Sequence, residues 1–134
     1  MGLKLLLVVT GLTLLAACAG LETLGANQIS LSTKQSTEVE LAHWAYWNDD
    51  CEGEDFSVAV AAAPRNGRTE IRESVFAIPA KTSSGKLTGC VDKIIESKKV
   101  FYIPNDGFVG TDAAVVKFSG SSGVVTNAYS ISVK

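Results

Sequence analysis

From Gln28 onwards, runs of apolar residues recur with a period of two. Ile29 and Leu31 alternate with Ser30 and Ser32, and Val39 and Leu41 alternate with Glu38 and Glu40. Phe56, Val58 and Val60 alternate with Ser57 and small alanines. Thr69 and Ile71 alternate with Arg68, Glu70 and Arg72. Ala114, Val116 and Phe118 alternate with Ala113, Val115 and Lys117. Val125, Tyr129, Ile131 and Val133 alternate with Thr126, Ser130 and Ser132. A period of two puts one set of side chains on a dry face and the other on a wet one, the pattern of antiparallel strands. Turn-forming clusters separate the runs: Asn48-Asp49-Asp50, Arg65-Asn66-Gly67, Ser83-Ser84-Gly85, Asn105-Asp106-Gly107 and Gly120 to Gly123. Val91 to Ser97 has a helical alternative, because Val91, Ile94 and Ile95 share one helical face; a single turn or a strand end fits equally well.

About seven short strands with this spacing predict an all-β fold, an immunoglobulin-like antiparallel β-sandwich. The phase of the His43-Trp44-Ala45-Tyr46-Trp47 cluster is open. Continued from Val39, alternation turns His43, Ala45 and Trp47 one way and Trp44 and Tyr46 the other, and both faces are not expected to be core. Either a bulge resets the phase, or Trp44 and Tyr46 form a contact surface for a protein partner or a glycan. Core packing is the favoured reading, because sandwiches commonly bury a tryptophan.

A second pattern precedes the strands. Leu5 to Leu14 is an apolar run behind Lys4, followed by Leu15-Ala16-Ala17-Cys18. A basic start, a short apolar middle and small residues at the cut are the layout of a secretory signal. The run is too short for a membrane-spanning helix, which needs about 20 apolar residues. Leu15-Ala16-Ala17-Cys18 resembles the lipobox of bacterial lipoproteins. The resemblance implies removal of a signal peptide at 1–17, lipidation (palmitate included) of the Cys18 thiol, and a lipidated tether at 18–27 ahead of one domain at 28–134. Ala19 is not aspartate, and by the same resemblance this favours the outer membrane over the inner one. The expected localisation is thus lipid-anchored at the bacterial outer membrane.

Composition narrows the function classes. At 46% hydrophobic residues the chain has the means for a packed core and is not disordered. A net charge of -2 offers no electrostatic drive towards nucleic acid. With Cys18 assigned to lipid, Cys51 and Cys90 remain as an even pair in an exported chain, and the simplest account is a disulfide. Closing that loop is worth about 3–4 kcal/mol in the chain-entropy account. No Cys-x-x-Cys spacing exists, and His43 is the single histidine.

Val100 to Phe118 carries a second resemblance. Tyr102, Pro104, Gly107, Phe108, Gly110 and Asp112 match in register the tail motif of cadherin-like, immunoglobulin-like repeats of bacterial surface proteins. Ala63-Pro64-Arg65-Asn66-Gly67 looks like that family's Pro-x-x-Gly turn, and Asn48-Asp49 with Gly53 like its earlier loop. The physics of the stretch stands alone. Pro104 lacks an N–H and stops a ladder, Gly107 takes a turn, Phe108 plugs the end of the sandwich, and Asp112 accepts backbone N–H groups at the corner. The chain departs from the family where Ala114 and Val116 replace aromatic residues, so Trp44 and Trp47 are expected to fill the core.

Asp49, Asp50, Glu52, Glu54 and Asp55 crowd one loop and are the candidate metal ligands, with calcium as the ion such oxygens would take. The Asp-x-Asp-x-Asp-Gly spacing is absent, and a solvated acidic loop is the favoured reading, with no cofactor expected. No Gly-x-Ser-x-Gly elbow occurs, and a lone mid-strand histidine without a nucleophile is a poor general base. The expected protein is non-enzymatic: a lipid-anchored interaction module that docks an envelope protein partner, with β-augmentation at an open edge as the natural mode. The alternative is a surface lipoprotein that binds calcium through the acidic loop or a glycan through exposed aromatics.

Overall fold

A computed structural model describes residues 25–134; the signal segment 1–17, Cys18 and most of the tether 18–27 lie outside the described residues. Seven strands follow in order: β1 (Asn27–Thr33), β2 (Val39–Trp44), β3 (Ser57–Ala62), β4 (Gly67–Ala77), β5 (Ile94–Pro104), β6 (Gly110–Gly120) and β7 (Gly123–Val133). They form two sheets, one ordered β1-β7-β6-β3 and the other β2-β5-β4. The third, sixth and seventh strands share one sheet and the second, fourth and fifth the other. That is the immunoglobulin-like arrangement, with the first strand carried over to lie beside the last.

One pairing departs from the antiparallel expectation. β1 runs parallel to β7, with Ile29 opposite Tyr129 and Leu31 opposite Ile131. A parallel pair needs a long connection and no hairpin. Here the two strands lie at opposite ends of the domain sequence, so the whole sandwich serves as the connection. The Val91–Ser97 stretch is not helical: Asp92 sits in a turn at φ 63° and β5 begins at Ile94. Ile94 and Ile95 point to opposite faces of a strand paired with Ala77 and Phe76. Branching at Cβ suits both residues to that pleated surface better than to a helical turn.

The main core lies between the sheets. It is built from Leu41, Val100, Tyr102, Val116, Phe118, Tyr129, Ile131 and Val133, with Trp44 and Phe108 packed against it. Burial of each large apolar side chain contributes about 1.5–3 kcal/mol. Trp44 stacks on Phe118 with ring centroids 4.5 Å apart, filling the space left by the small residues of β6.

β2 reaches that packing through a bulge. Glu40 faces Phe101 and Ala42 faces Val100, which leaves Leu41 without an opposite residue. The extra residue resets the phase. Val39, Leu41, Ala42 and Trp44 all pack on the main core, and His43 turns to the outer face. The expectation that both faces of this segment cannot be core is therefore corrected. Ala45 and Trp47 pack into a second cluster with Ile78, Cys90, Ile95 and Phe76. That cluster lies on the outer face of the three-stranded sheet, because Ile95 alternates out of phase with Val100 and Tyr102. Trp47 accordingly fills this outer cluster and not the main core, stacking on Phe76 at 6.0 Å.

Candidate functional site

Three places gather polar or exposed apolar side chains: the corner around Asp112, the disulfide end, and the edge at β4. At the first, β3 leaves its sheet through residues 63–66 and enters the other as β4. Asp112 Oδ1 accepts the N–H of Arg65 at 3.0 Å and of Ala113 at 2.9 Å, and Oδ2 accepts the N–H of Asn66 at 2.8 Å. The hydroxyl of Tyr102 donates to the same Oδ2 at 3.0 Å. Burial pushes the Asp112 carboxyl up, but the three backbone donors and then Tyr102 outweigh it, and the net shift is down. Burial first, then the facing carboxylate, pushes the Tyr102 phenol up. Every lone pair aimed inward is used, so this corner joins the sheets and has no capacity left for a ligand.

At the disulfide end, Cys51 of the β2–β3 loop is joined to Cys90 of the β4–β5 connection, with Cα atoms 5.4 Å apart. Asn48 organises the loop. Its Oδ1 accepts the N–H of Asp50 and of Glu52, each at 3.0 Å, and its own N–H donates to the Glu52 carbonyl at 3.0 Å. Trp47 bridges to Gly53, and the Glu54 N–H donates to the Tyr46 carbonyl at 2.9 Å. The hairpin so formed sets Glu52, Glu54 and Asp55 along one cavity. The Glu54 carboxylate accepts a hydrogen bond from the Ser121 hydroxyl. Among the described residues no group of three or more His, Cys, Asp or Glu side chains is placed to hold a metal ion. Asp49, Asp50, Glu52, Glu54 and Asp55 thus do not converge into the ligand set that their crowding in sequence suggested.

Of the two candidate aromatics, Trp44 is half-buried on Phe118, and Tyr46 lies 6.2 Å from Trp44 and 5.4 Å from Phe56 by ring centroids. Tyr46 also covers Gly120, where a Cβ would come within 2.6 Å of its ring. Both keep partial exposure; Trp44 packs on the main core, and Tyr46 lies against Trp44, Phe56 and Gly120. His43 Nε2 lies 2.8 Å from Ser97 Oγ, and the ring stands edge-on to Phe76 at 5.3 Å. Burial, then the nearby Lys99, holds its pKa below the ordinary histidine value.

The β4 edge is the feature that sequence inspection left unplaced. Among the described residues β4 closes the three-stranded sheet and has no strand on its outer side. The other terminal strands are shorter: β1 has seven residues and β2 and β3 six each, the last two broken by register shifts. β4 runs eleven residues in unbroken register with β5 and contains no proline. On its outer face Arg72 holds Glu38 with two hydrogen bonds, of 3.0 and 2.8 Å, and Glu70 at 2.8 Å, while its guanidinium lies 4.2 Å from the centroid of Phe101. These bonds, to Glu38 first, hold the Glu38 and Glu70 carboxyls low and the guanidinium high. On its inner face the sandwich gapes. Ile71 is 42% exposed, Val75 64% and the neighbouring Ile94 of β5 59%. A cavity of about 430 Å³ opens there, with Glu73, Ile94, Glu96 and Lys98 on one wall and Glu54 and Asp55 on the other. Alternating charge on a proline-free strand was the available signal, since Arg68, Glu70 and Arg72 are evident in the sequence.

Comparison with models of known protein families finds no match, and comparison with curated protein sequences finds none either.

Proposed function

We propose that the chain is a lipid-anchored, non-enzymatic interaction module of the bacterial envelope, held at the outer membrane through Cys18 and docking a protein partner at the β4 edge. The observation that carries the docking half is the state of β4. Long, regular edges template strand addition, and proteins ordinarily blunt them with bulges, proline, a covering segment or charge, of which β4 carries only the charges of Arg68, Glu70, Arg72 and the inward-facing Glu73. β1, β2 and β3 are short or bulged; β4 is neither. Main-chain hydrogen bonds give an added strand its affinity, and the exposed Ile71 and Val75, with Ile94 of the neighbouring β5, offer apolar contacts to its side chains.

The anchoring half is supported by the lipobox resemblance at Leu15 to Cys18. The Cys51–Cys90 bond adds to it, since disulfides persist in oxidising compartments outside the cytoplasm. The cadherin-like character of the motif around Tyr102 and Asp112 belongs to the same reading: it builds a sandwich corner, a scaffold part, and the function is carried on an edge.

Two measurements test the reading. Labelled palmitate incorporates into the parent chain and not into Cys18→Ser, which moves from the membrane to the soluble fraction. A photo-reactive residue in place of Val75 forms discrete protein adducts in intact cells, and one in place of Val124, equally exposed on the far hairpin, does not. Equal fractionation of Cys18→Ser and parent, or equal adduct patterns at the two positions, would overturn it.

A further inference from the structure

We infer that the protein that β4 is built to meet is a second copy of this chain, joined edge to edge about a two-fold axis that passes at Ile71. This rests on the docking reading above and names the partner at that edge. When identical strands pair antiparallel, the two-fold axis stands perpendicular to the sheet, and residues opposite one another share a face. The axis therefore falls on a residue that lies opposite itself. For a strand spanning Gly67–Ala77, only axes at Ile71, Arg72 or Glu73 pair nine or more residues.

Charge selects among the three. An axis at Arg72 sets two arginines against each other, and one at Glu73 sets two glutamates against each other. Like charges directly opposite destabilise a sheet. The axis at Ile71 does the reverse. On the outer face Glu70 comes opposite Arg72 of the second copy, and symmetry makes the pair twice. On the inner face Ile71 meets itself, Thr69 faces Glu73, and Val75 faces Gly67, which has no side chain to obstruct it. Ile71 and Val75 are large apolar residues that the isolated chain leaves exposed. Within its own chain Arg72 lies over Phe101 of β5, bound to Glu38 and to Glu70, so the pair across the edge forms by the guanidinium turning from β5 towards the second strand.

A joint of one strand on each side is smaller than the roughly 800 Å² per partner of a standard stable interface. The pairing is accordingly weak in dilute solution and gains from anchoring both copies in one bilayer, which raises their effective concentration.

The test uses the full-length chain in its own membrane, with single cysteines placed on β4 and a short thiol-reactive cross-linker. Ile71→Cys gives a covalent homodimer. Thr69→Cys and Glu73→Cys co-expressed give the mixed dimer. Ser74→Cys, which the register places far from its own copy, stays monomeric. In the Ile71→Cys background, Glu70→Arg lowers the dimer yield about tenfold, because it creates two like-charge pairs at once, and adding Arg72→Glu restores it. Self-linking of Ser74→Cys at the level of Ile71→Cys, or no rescue by the double reversal, overturns the pairing. If Ile71→Cys gives no homodimer but links to a different envelope protein, self-pairing is wrong and docking at β4 stands. If it links to nothing while Val124→Cys reacts normally with a soluble maleimide, both readings fall.

Discussion

The Tyr102 hydroxyl and the Asp112 carboxylate, ten residues apart in sequence, meet at 3.0 Å where the two sheets join. Tyr102 comes from β5 in one sheet and Asp112 from β6 in the other. The same carboxylate holds the N–H groups of Arg65 and Asn66, which carry the chain across from β3 to β4. One side chain thus ties two crossings of the sandwich together, β3 to β4 and β5 to β6.

Removing that carboxylate leaves buried donors unpaired, at about 1–3 kcal/mol for each unsatisfied group. Asp112→Ala is expected to lose several kcal/mol in urea unfolding, and Tyr102→Phe only about 1.5–3 kcal/mol, because it deletes one charge-assisted bond and keeps the ring. The folded Asp112 pKa lies below its unfolded value, so its contribution is complete above about pH 4 and is lost as pH falls through the folded value. Acid titration of stability should flatten in Asp112→Asn over that window.

His43 acts in the same sense within a separate, higher window. Its folded pKa is lowered by burial and by Lys99, so the unfolded chain takes up the proton first. Stability therefore rises with pH through the unfolded value near about 6.5 and is lost below it as protonation favours the open chain. His43→Gln keeps a hydrogen-bonding group near Ser97 and should remove the stability difference between about pH 7 and pH 5, measured by thermal melts.

The Cys51–Cys90 bond closes a separation of 39 residues, worth about 4 kcal/mol in the chain-entropy account. The bond lies beside the outer cluster, away from the main core between the sheets. Cys51→Ala with Cys90→Ala should lower the melting temperature while keeping the sandwich. Amide exchange should quicken in the two joined loops well before it does in β6 and β7.

Two glycines separate by what they touch. A Cβ on Gly67 would lie 2.5 Å from the Ile103 carbonyl oxygen and 2.6 Å from the ring of Tyr102, both fixed. A Cβ on Gly120 would meet the ring of Tyr46, a partly exposed side chain that has room to swing. Gly67→Ala is expected to cost about 1–3 kcal/mol or more, and Gly120→Ala less. Reversal of that order in denaturant melts would show that Tyr46 is held more firmly than its surroundings imply.

Much of the architecture is legible in the residues themselves. Alternation at Ile29 to Leu31, Ala114 to Phe118 and Tyr129 to Val133 announces strands, because a pleated chain with one buried face has no other way to sort its side chains. The Tyr102-x-Pro104 to Asp112 stretch announces its corner, and the Cys51 and Cys90 pair its bond. What local pattern leaves open is phase and position. The bulge at Leu41 moves Trp44 onto Phe118 and His43 outward, and only the register with β5 decides it. Ile94 and Ile95 read as a helical face until Phe76 and Ala77 are set against them.

The amino-acid order by itself determined the strands, their turns, the disulfide pair and the polar corner, since each follows from chemistry within a few residues or from the count of a residue type. Tertiary structure alone decided that β1 lies parallel to β7 and, among the described residues, that the acidic side chains of the β2–β3 loop form no metal-holding group and that β4 ends its sheet. Those depend on which strands become neighbours. That Ile71 stays exposed, with no strand on the outer side of β4 among the described residues, is something residues 67–77 do not encode by themselves.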